Sequence, residues 1–403
     1  MGGAPIYRPP GPARQAAKYR RTAGLLIAAA VAAILIATLS PAGSELAPGW
    51  TTAIVSGDDA LAGVVQNVLL FMPLGVGLAL GGMRGWRLVA VGTLLSVSVE
   101  FAQQWIPGRD PSLGDVWFNT IGTALGGLLG RTAPLWLTPS PRRAAWQSLG
   151  AALVFAAIAF TTGWLFQPDL AATTYHATLR PDLPYLGLYP GTVLTVSPAA
   201  RFPLPLRVVA VAGPIPGRLS PLVALTDEGG REMVLLSADH TDLSLWFRTH
   251  GTAWRLDRPD VRVRGALAAV APGDTVAVAA WREGATYCLA LNTRHWCDRA
   301  YTLADGWKLI FDLGGARPWL LDLLAACWIG VLPVAVGFWT RRHWCSAAAL
   351  VVVWGGLFVA PAVTGLAPTP LAAHLGALAG FVVGLLLQVL PPFDAGVTGV
   401  NET

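Results

Sequence analysis

Eight nearly unbroken apolar stretches punctuate the chain, at 23–39, 60–81, 87–106, 115–130, 146–166, 318–338, 346–366 and 370–390. Each approaches the ~20 residues an α-helix needs to cross a bilayer, so eight membrane helices are expected. The stretch 115–130 is the shortest and is polar at one end, and only Leu366 to Thr369 separate the last two. Between 168 and 317 the pattern changes: apolar runs shrink to strand length and alternate with polar residues at Arg207–Ala212, Met233–Leu236, Leu243–Thr249 and Thr275–Trp281. Turn residues stand at Asp227–Gly230 and Pro272–Asp274, and nothing in this region has helical periodicity. The pattern predicts an α-helical polytopic membrane protein with an inserted all-β sandwich of jelly-roll type.

The domains expected are a basic N-terminus (1–22), a transmembrane bundle (23–166), the β-sandwich (168–317), three C-terminal membrane helices (318–390) and a tail (391–403). Charge then orients the chain. With a cytoplasmic start, the first four segments expected inside hold Arg8, Arg14, Lys18, Arg20, Arg21, Arg84, Arg131, Arg142, Arg143, Arg341 and Arg342 and no acid, with Arg87 at a border; the tail 391–403 is expected inside as well. The outside loop 40–59 holds Glu45, Asp58 and Asp59 and no base. This is the positive-inside bias. It predicts an inner-membrane protein with 168–317 in the periplasm. A basic stretch followed by an apolar one also fits a cleaved signal peptide, but 23–39 is long for that role, so an uncleaved anchor is expected.

Composition agrees. Only 13% of residues are charged and 54% are hydrophobic, against roughly 25% charged in a soluble domain, which excludes an ordinary water-soluble enzyme. The net charge of +5 is largely a topology signal, so nucleic acid is not expected as a partner.

Two of the four cysteines, Cys288 and Cys297, flank Asn292-Thr293 symmetrically. A two-residue hairpin there pairs Leu291 with Arg294 and places the cysteines at a close, non-hydrogen-bonded pair suited to a cross-strand disulfide. Two free thiols remain the alternative. No His cluster for zinc, no Ser-His-Asp order and no calcium-loop spacing appears, so neither cofactor nor metal is expected.

The residues that carry chemistry lie in the first half. Asn67 falls inside the second apolar stretch and Glu100 with Gln103 inside the third; Arg109, Asp115 and Asn119 follow. Polar groups in hydrocarbon are costly unless paired or facing water, so their clustering marks a candidate site. Glu100 and Gln103 share one helix face and Asp115 and Asn119 another. At ~1.5 Å per residue, Glu100 lies roughly 9 Å and Asn67 roughly 10 Å below the outer ends of their helices, and Asn119 roughly 6 Å below Asp115. All are therefore expected in one layer near the outer leaflet, under a loop carrying Arg109. Asp322, near the start of the sixth stretch, is expected at the interface.

These residues resemble the VanZ-like family of integral membrane proteins across roughly residues 20–135. The likeness rests on Asn67 to Gly75 (N-x-L-x-F-x-P-L-G), Glu100 with Gln103 (E-x-x-Q), Pro107 to Arg109, Asp115, Asn119 and Gly122. The aromatic or His-containing start of the second helix that is frequent in the family is replaced here by Asp58-Asp59-Ala-Leu. The resemblance implies a link to glycopeptide antibiotic resistance of the teicoplanin type, through an activity that is not established. The β region, from Asp242-Leu-Ser-Leu-Trp-Phe-Arg-Thr and the stretch Asp274 to Asn292, is similar to concanavalin A-like or laminin G-like sandwiches.

Three readings of the cluster stay open. In the first, Asn67, Glu100, Gln103, Arg109, Asp115 and Asn119 recognise a membrane lipid, an envelope glycan or a lipid-linked saccharide, with Arg109 clamping a phosphate. In the second, Glu100 and Asp115 act as an acid/base pair of a hydrolase or transferase on a lipid-linked substrate. In the third, the polar groups pin three helices of a scaffold or transporter together, with Arg109 bridging an acid. Elsewhere, Gly122, Gly126 and Gly130, and again Gly376, Gly380 and Gly384, predict close helix packing. His374 is expected to form an interhelical hydrogen bond. Trp246 and Trp281 are expected either in the sandwich core or as stacking faces for a sugar.

Overall fold

Helices form wherever the apolar stretches are long and uninterrupted by charge, since a backbone in hydrocarbon has to satisfy its own hydrogen bonds. A computed structural model describes residues 20–41, 51–52, 54, 57, 59–170, 175–183, 186–197, 206–313, 317–340 and 343–389. The first basic residues, Glu45, Asp58, the arginines at 341 and 342, and the tail 391–403 lie outside the described residues.

All eight expected helices are present: α1 (Arg20–Leu39), α2 (Ala60–Leu80), α3 (Trp86–Gln103), α4 (Leu113–Arg131), α6 (Pro141–Leu165), α8 (Pro318–Phe338), α9 (His343–Thr364) and α10 (Leu371–Val389). A short α5 (Ala133–Leu137) links α4 to α6. Six are long and apolar enough to cross a membrane: α1, α2, α6, α8, α9 and α10. The other two, α3 and α4, carry Ser96, Glu100, Asp115 and Asn119, and these polar groups keep them outside that set.

The chain divides into two compact units, residues 1–147 with 385–403, and residues 148–384. In the first unit, α1, α2 and α3 enclose Ile34, Phe71, Leu74 and Leu88. Helices α2 and α4 pack backbone to backbone: a Cβ on Gly122 would meet Val68, one on Gly126 the Met72 carbonyl, and one on Gly130 Val76 and Ala79. From the other side, a Cβ on Gly75 would meet the Thr123 carbonyl. The small-residue stripe thus brings the polar ends of two helices into hydrogen-bonding range, as expected for helices that associate by close packing rather than by hydrophobic contrast.

The second unit holds the β-domain and the C-terminal helices. Among the described residues, ten antiparallel strands form two five-stranded sheets. One contains β1 (His176–Leu179), β4 (Ser220–Thr226), β5 (Glu232–Asp239), β6 (Asp242–Phe247) and β7 (Val261–Val263), in the order β1-β4-β5-β6-β7. The other contains β2 (Thr192–Ser197), β3 (Leu206–Val211), β8 (Thr275–Glu283), β9 (Thr286–Leu291) and β10 (Arg294–Arg299), in the order β10-β9-β8-β3-β2. Alternation in β3 and β8 buries Leu206, Val208, Ala210, Val276, Val278 and Ala280. Phe247 of one sheet stacks on Tyr287 of the other at 4.7 Å between ring centroids.

Strands β4, β5 and β6 are buried nearly throughout, because the outer face of their sheet is covered as well. There Ala224, Leu235 and Trp246 lie against Leu183 and Leu186. The expectation of a region without helices is corrected by α7 (His250–Ala253) and a 3₁₀ turn (Leu303–Leu309). Both open on Thr-capped boxes, a local hydrogen-bond pattern too short to register as helical periodicity.

The hairpin register is the one predicted, Leu291 opposite Arg294, and Cys288 is bonded to Cys297. Asn292 takes a positive φ of 53°, a conformation Asn tolerates at a tight turn. Within this unit the sandwich is fixed to helix ends. Gln167 donates to the Thr364 carbonyl at 3.0 Å, Arg282 to the Gly365 carbonyl at 3.2 Å and the Ala367 N–H to the Tyr301 carbonyl at 3.1 Å. A Cβ on Gly376, Gly380 or Gly384 would strike α8 at Ala326, Gly330 or Val334, so the second glycine stripe also marks helix contact. His374 stacks on Phe358 at 4.8 Å between ring centroids, and its buried Nδ1 has no hydrogen-bond partner among the described residues.

Candidate functional site

The site is built where α3 ends and α4 begins. Ser112 is the N-cap of α4: its backbone is extended and its hydroxyl accepts from the Gly114 N–H. Its own N–H donates to Glu100 Oε2 at 2.9 Å, tying the last turn of α3 to the start of α4. Thr51 reinforces the connection, donating its N–H to the Pro111 carbonyl and accepting from the Leu113 N–H.

Asp115 stands in the first turn of α4, where the helix dipole favours a negative charge. It accepts from Asn67 Nδ2 at 2.8 Å across the glycine-lined contact with α2. Glu100 is 2% exposed, whereas Asp115 and Asn67 are half-buried. Two carboxylates and an amide from three helices therefore share one location. Among the described residues neither carboxylate forms an ion pair.

The remaining expected members lie elsewhere. Arg109 was expected to clamp a phosphate or bridge Glu100 or Asp115, yet its guanidinium donates to the Ala37 carbonyl at 2.7 Å and the Ser40 carbonyl at 3.0 Å. Gln103 donates to the Thr38 carbonyl at 3.0 Å. Both side chains thus serve the C-terminal carbonyls of α1, which lack intrahelical donors and attract a cation.

Asn119 lies a helical turn deeper than Asp115 and donates to Ser96 Oγ at 2.9 Å. Its Oδ1 is buried without a partner among the described residues, while the Thr123 hydroxyl donates to its backbone carbonyl at 3.0 Å. The single layer expected from helix rise is in fact two tiers, Asn67–Asp115–Glu100 and, below it, Asn119–Ser96. Ser96 and Ser112 were missed in the sequence. Ser96 is four residues before Glu100 on the same helix face, and Ser112 directly precedes a helix start, so spacing and capping carried both signals.

Among the described residues, Glu283, Cys288 and Cys297 lie close enough to hold a metal, but the two sulfurs are joined in the disulfide and offer no thiolate. Trp246 is buried against Leu183 and Leu186 with the Arg258 guanidinium over its ring at 5.0 Å, so it has no open face for a sugar.

Residues 22–134 match the VanZ/LLP1 family model. This match contains all six residues of the candidate cluster and ends within α5, before the β-domain. No curated protein and no solved structure matches the chain.

Proposed function

We propose, from the similarity of residues 22–134 to VanZ/LLP1, that the chain is a VanZ-like multi-pass membrane protein of the cell envelope that recognises a lipid or lipid-linked saccharide at the outer leaflet. The observation that carries the reading is the convergence of Glu100, Asp115 and Asn67 with no basic partner among the described residues. Such an arrangement is rich in acceptors and suits a ligand that donates: sugar hydroxyls or the ammonium of a headgroup. Asp115 and Asn67 are the accessible pair, and Glu100 behind them is held by the Ser112 N–H. Placement in the inner membrane with 168–317 in the periplasm belongs to the same proposal, as do the concanavalin A-like character of the sandwich and a role in glycopeptide resistance.

The test is mass spectrometry of the lipids and glycans retained by the purified protein. Asp115→Asn lowers retention about tenfold, the effect of one charged hydrogen bond. Arg109→Ala leaves retention intact while loosening the end of α1. Equal retention by wild type and Asp115→Asn would refute the recognition. The unequal burial of two neighbouring carboxylates supports a second reading, acid/base hydrolysis or transfer on the same ligand. Under it, Glu100→Gln keeps the ligand and abolishes its turnover.

A further inference from the structure

The second unit contains a cavity of about 470 Å³, within the range of small-ligand pockets. Residues 257–264 around β7, the end of β10, the 3₁₀ turn and the residues after it form its walls. Leu321, Asp322 and Ala325 on the second turn of α8 complete it. The sandwich and a membrane-spanning helix thus line one open-mouthed space, and the 3₁₀ turn holds them together: a Cβ on Gly306 would meet the Trp328 indole of α8.

Asp322 is the only charged residue of α8. It is exposed, lines the cavity, and makes no ion pair or hydrogen bond among the described residues. A carboxylate in such a helix is costly unless it faces water or a ligand, and this cavity provides that surrounding.

The bases in the wall are already engaged. Arg258 pairs with Glu232 at 3.3 Å, and Arg262 with Asp239 at 2.6 Å and Asp260 at 3.0 Å. Lys308 pairs with Asp305 at 2.7 Å and Arg264 also has a partner; Arg299 pairs with the exposed Asp298 at 3.3 Å, although its buried Nε has no hydrogen-bond partner among the described residues. A phosphate would have to displace a carboxylate and leave that acid uncompensated, which is expensive in a partly buried site. A neutral polyol needs no such exchange. It meets carboxylate oxygens and guanidinium edges already held in fixed directions, beside the ring of the half-exposed Phe311.

We propose that this cavity is a binding site for a neutral saccharide unit, with Asp322 accepting from its hydroxyls at the membrane-facing end. The site is separate from the Glu100–Asp115 cluster and does not depend on its function. It places the sugar beside the first turns of a membrane helix, where a saccharide carried on a lipid would be presented.

The experiment is a calorimetric titration of the full chain in phosphatidylcholine nanodiscs with maltotriose, cellotriose and chitotriose. At least one trisaccharide binds saturably, with a Kd of about 1 mM or tighter. Asp322→Asn, a change at an exposed position, weakens that binding about tenfold or more. Ala325→Trp fills the cavity and abolishes it. Absence of saturable binding by the wild type, or binding that survives either substitution, would overturn the site. Tighter binding of a short-chain phosphatidylglycerol, weakened by Lys308→Gln, would overturn the saccharide assignment in favour of an anionic headgroup.

Discussion

Gly126→Ala tests whether the α2–α4 contact sets the geometry of the cluster. The added Cβ falls on the Met72 carbonyl and also lies 2.8 Å from the Met72 carbonyl carbon and 3.0 Å from the Val76 nitrogen. All three are backbone atoms, so no flexible side chain can swing aside. Carbon and oxygen ordinarily approach to ~3.3 Å, so the helices have to part by about 1 Å or more. That gap forfeits a quarter to a half of the dispersion energy along the glycine stripe. Overpacking costs ~1–3 kcal/mol, and the better helix propensity of Ala returns up to ~1 kcal/mol. The net loss is ~1–2 kcal/mol. Gly63→Ala is the matched comparison. Gly63 lies in α2, the helix that Gly126 of α4 packs against; a methyl added there has nothing within 4 Å, and the substitution is neutral or stabilising by up to ~1 kcal/mol. The same parting of α2 from α4 stretches the 2.8 Å Asn67–Asp115 hydrogen bond beyond useful range, so Gly126→Ala also lowers ligand retention. The assay is equilibrium unfolding in mixed micelles followed by circular dichroism, beside the retention measurement. Equal stability of Gly126→Ala and Gly63→Ala would refute the packing argument.

Three further outcomes concern the β-domain. Asp227 is held below its ordinary value chiefly by the Arg231 N–H, with the Arg231 guanidinium and the Gly229 N–H adding to this against the opposing effect of burial. Its stabilisation is therefore present above about pH 4 and is lost as pH falls through the lowered folded value; Asp227→Asn flattens the acid limb of a stability–pH curve. Burial pushes Tyr287 up to about 12, so its contribution is complete below about pH 10 and disappears as pH rises towards about 12. Tyr287→Phe reduces the tyrosinate absorbance that appears only when alkali unfolds the domain. Replacing Cys288 and Cys297 together by Ser removes a disulfide with a sequence separation of 9 and costs up to ~3 kcal/mol, read as a lower Tm that matches reduced wild type.

Much of this molecule can be read from its residues in order. Run length, strand alternation and the symmetric flanks of Asn292-Thr293 predict the eight helices, most of the strands and the disulfide, because each depends on neighbours within a few residues. The glycine stripes of α4 and α10 likewise announce helix contact through their spacing. The partners of polar groups are another matter. Arg109 and Gln103 turn to the carbonyl end of α1, some 65 or more residues earlier, and Asn119 sits a turn below Asp115 on Ser96. Helix rise alone measures depth along an axis and says nothing about rotation around it or about which unsatisfied carbonyl lies nearest. Tertiary packing also decided that Trp246 is covered and that Asp322 borders a cavity. Burial and enclosure come from distant segments meeting, and that meeting is settled by the competition among all the contacts at once.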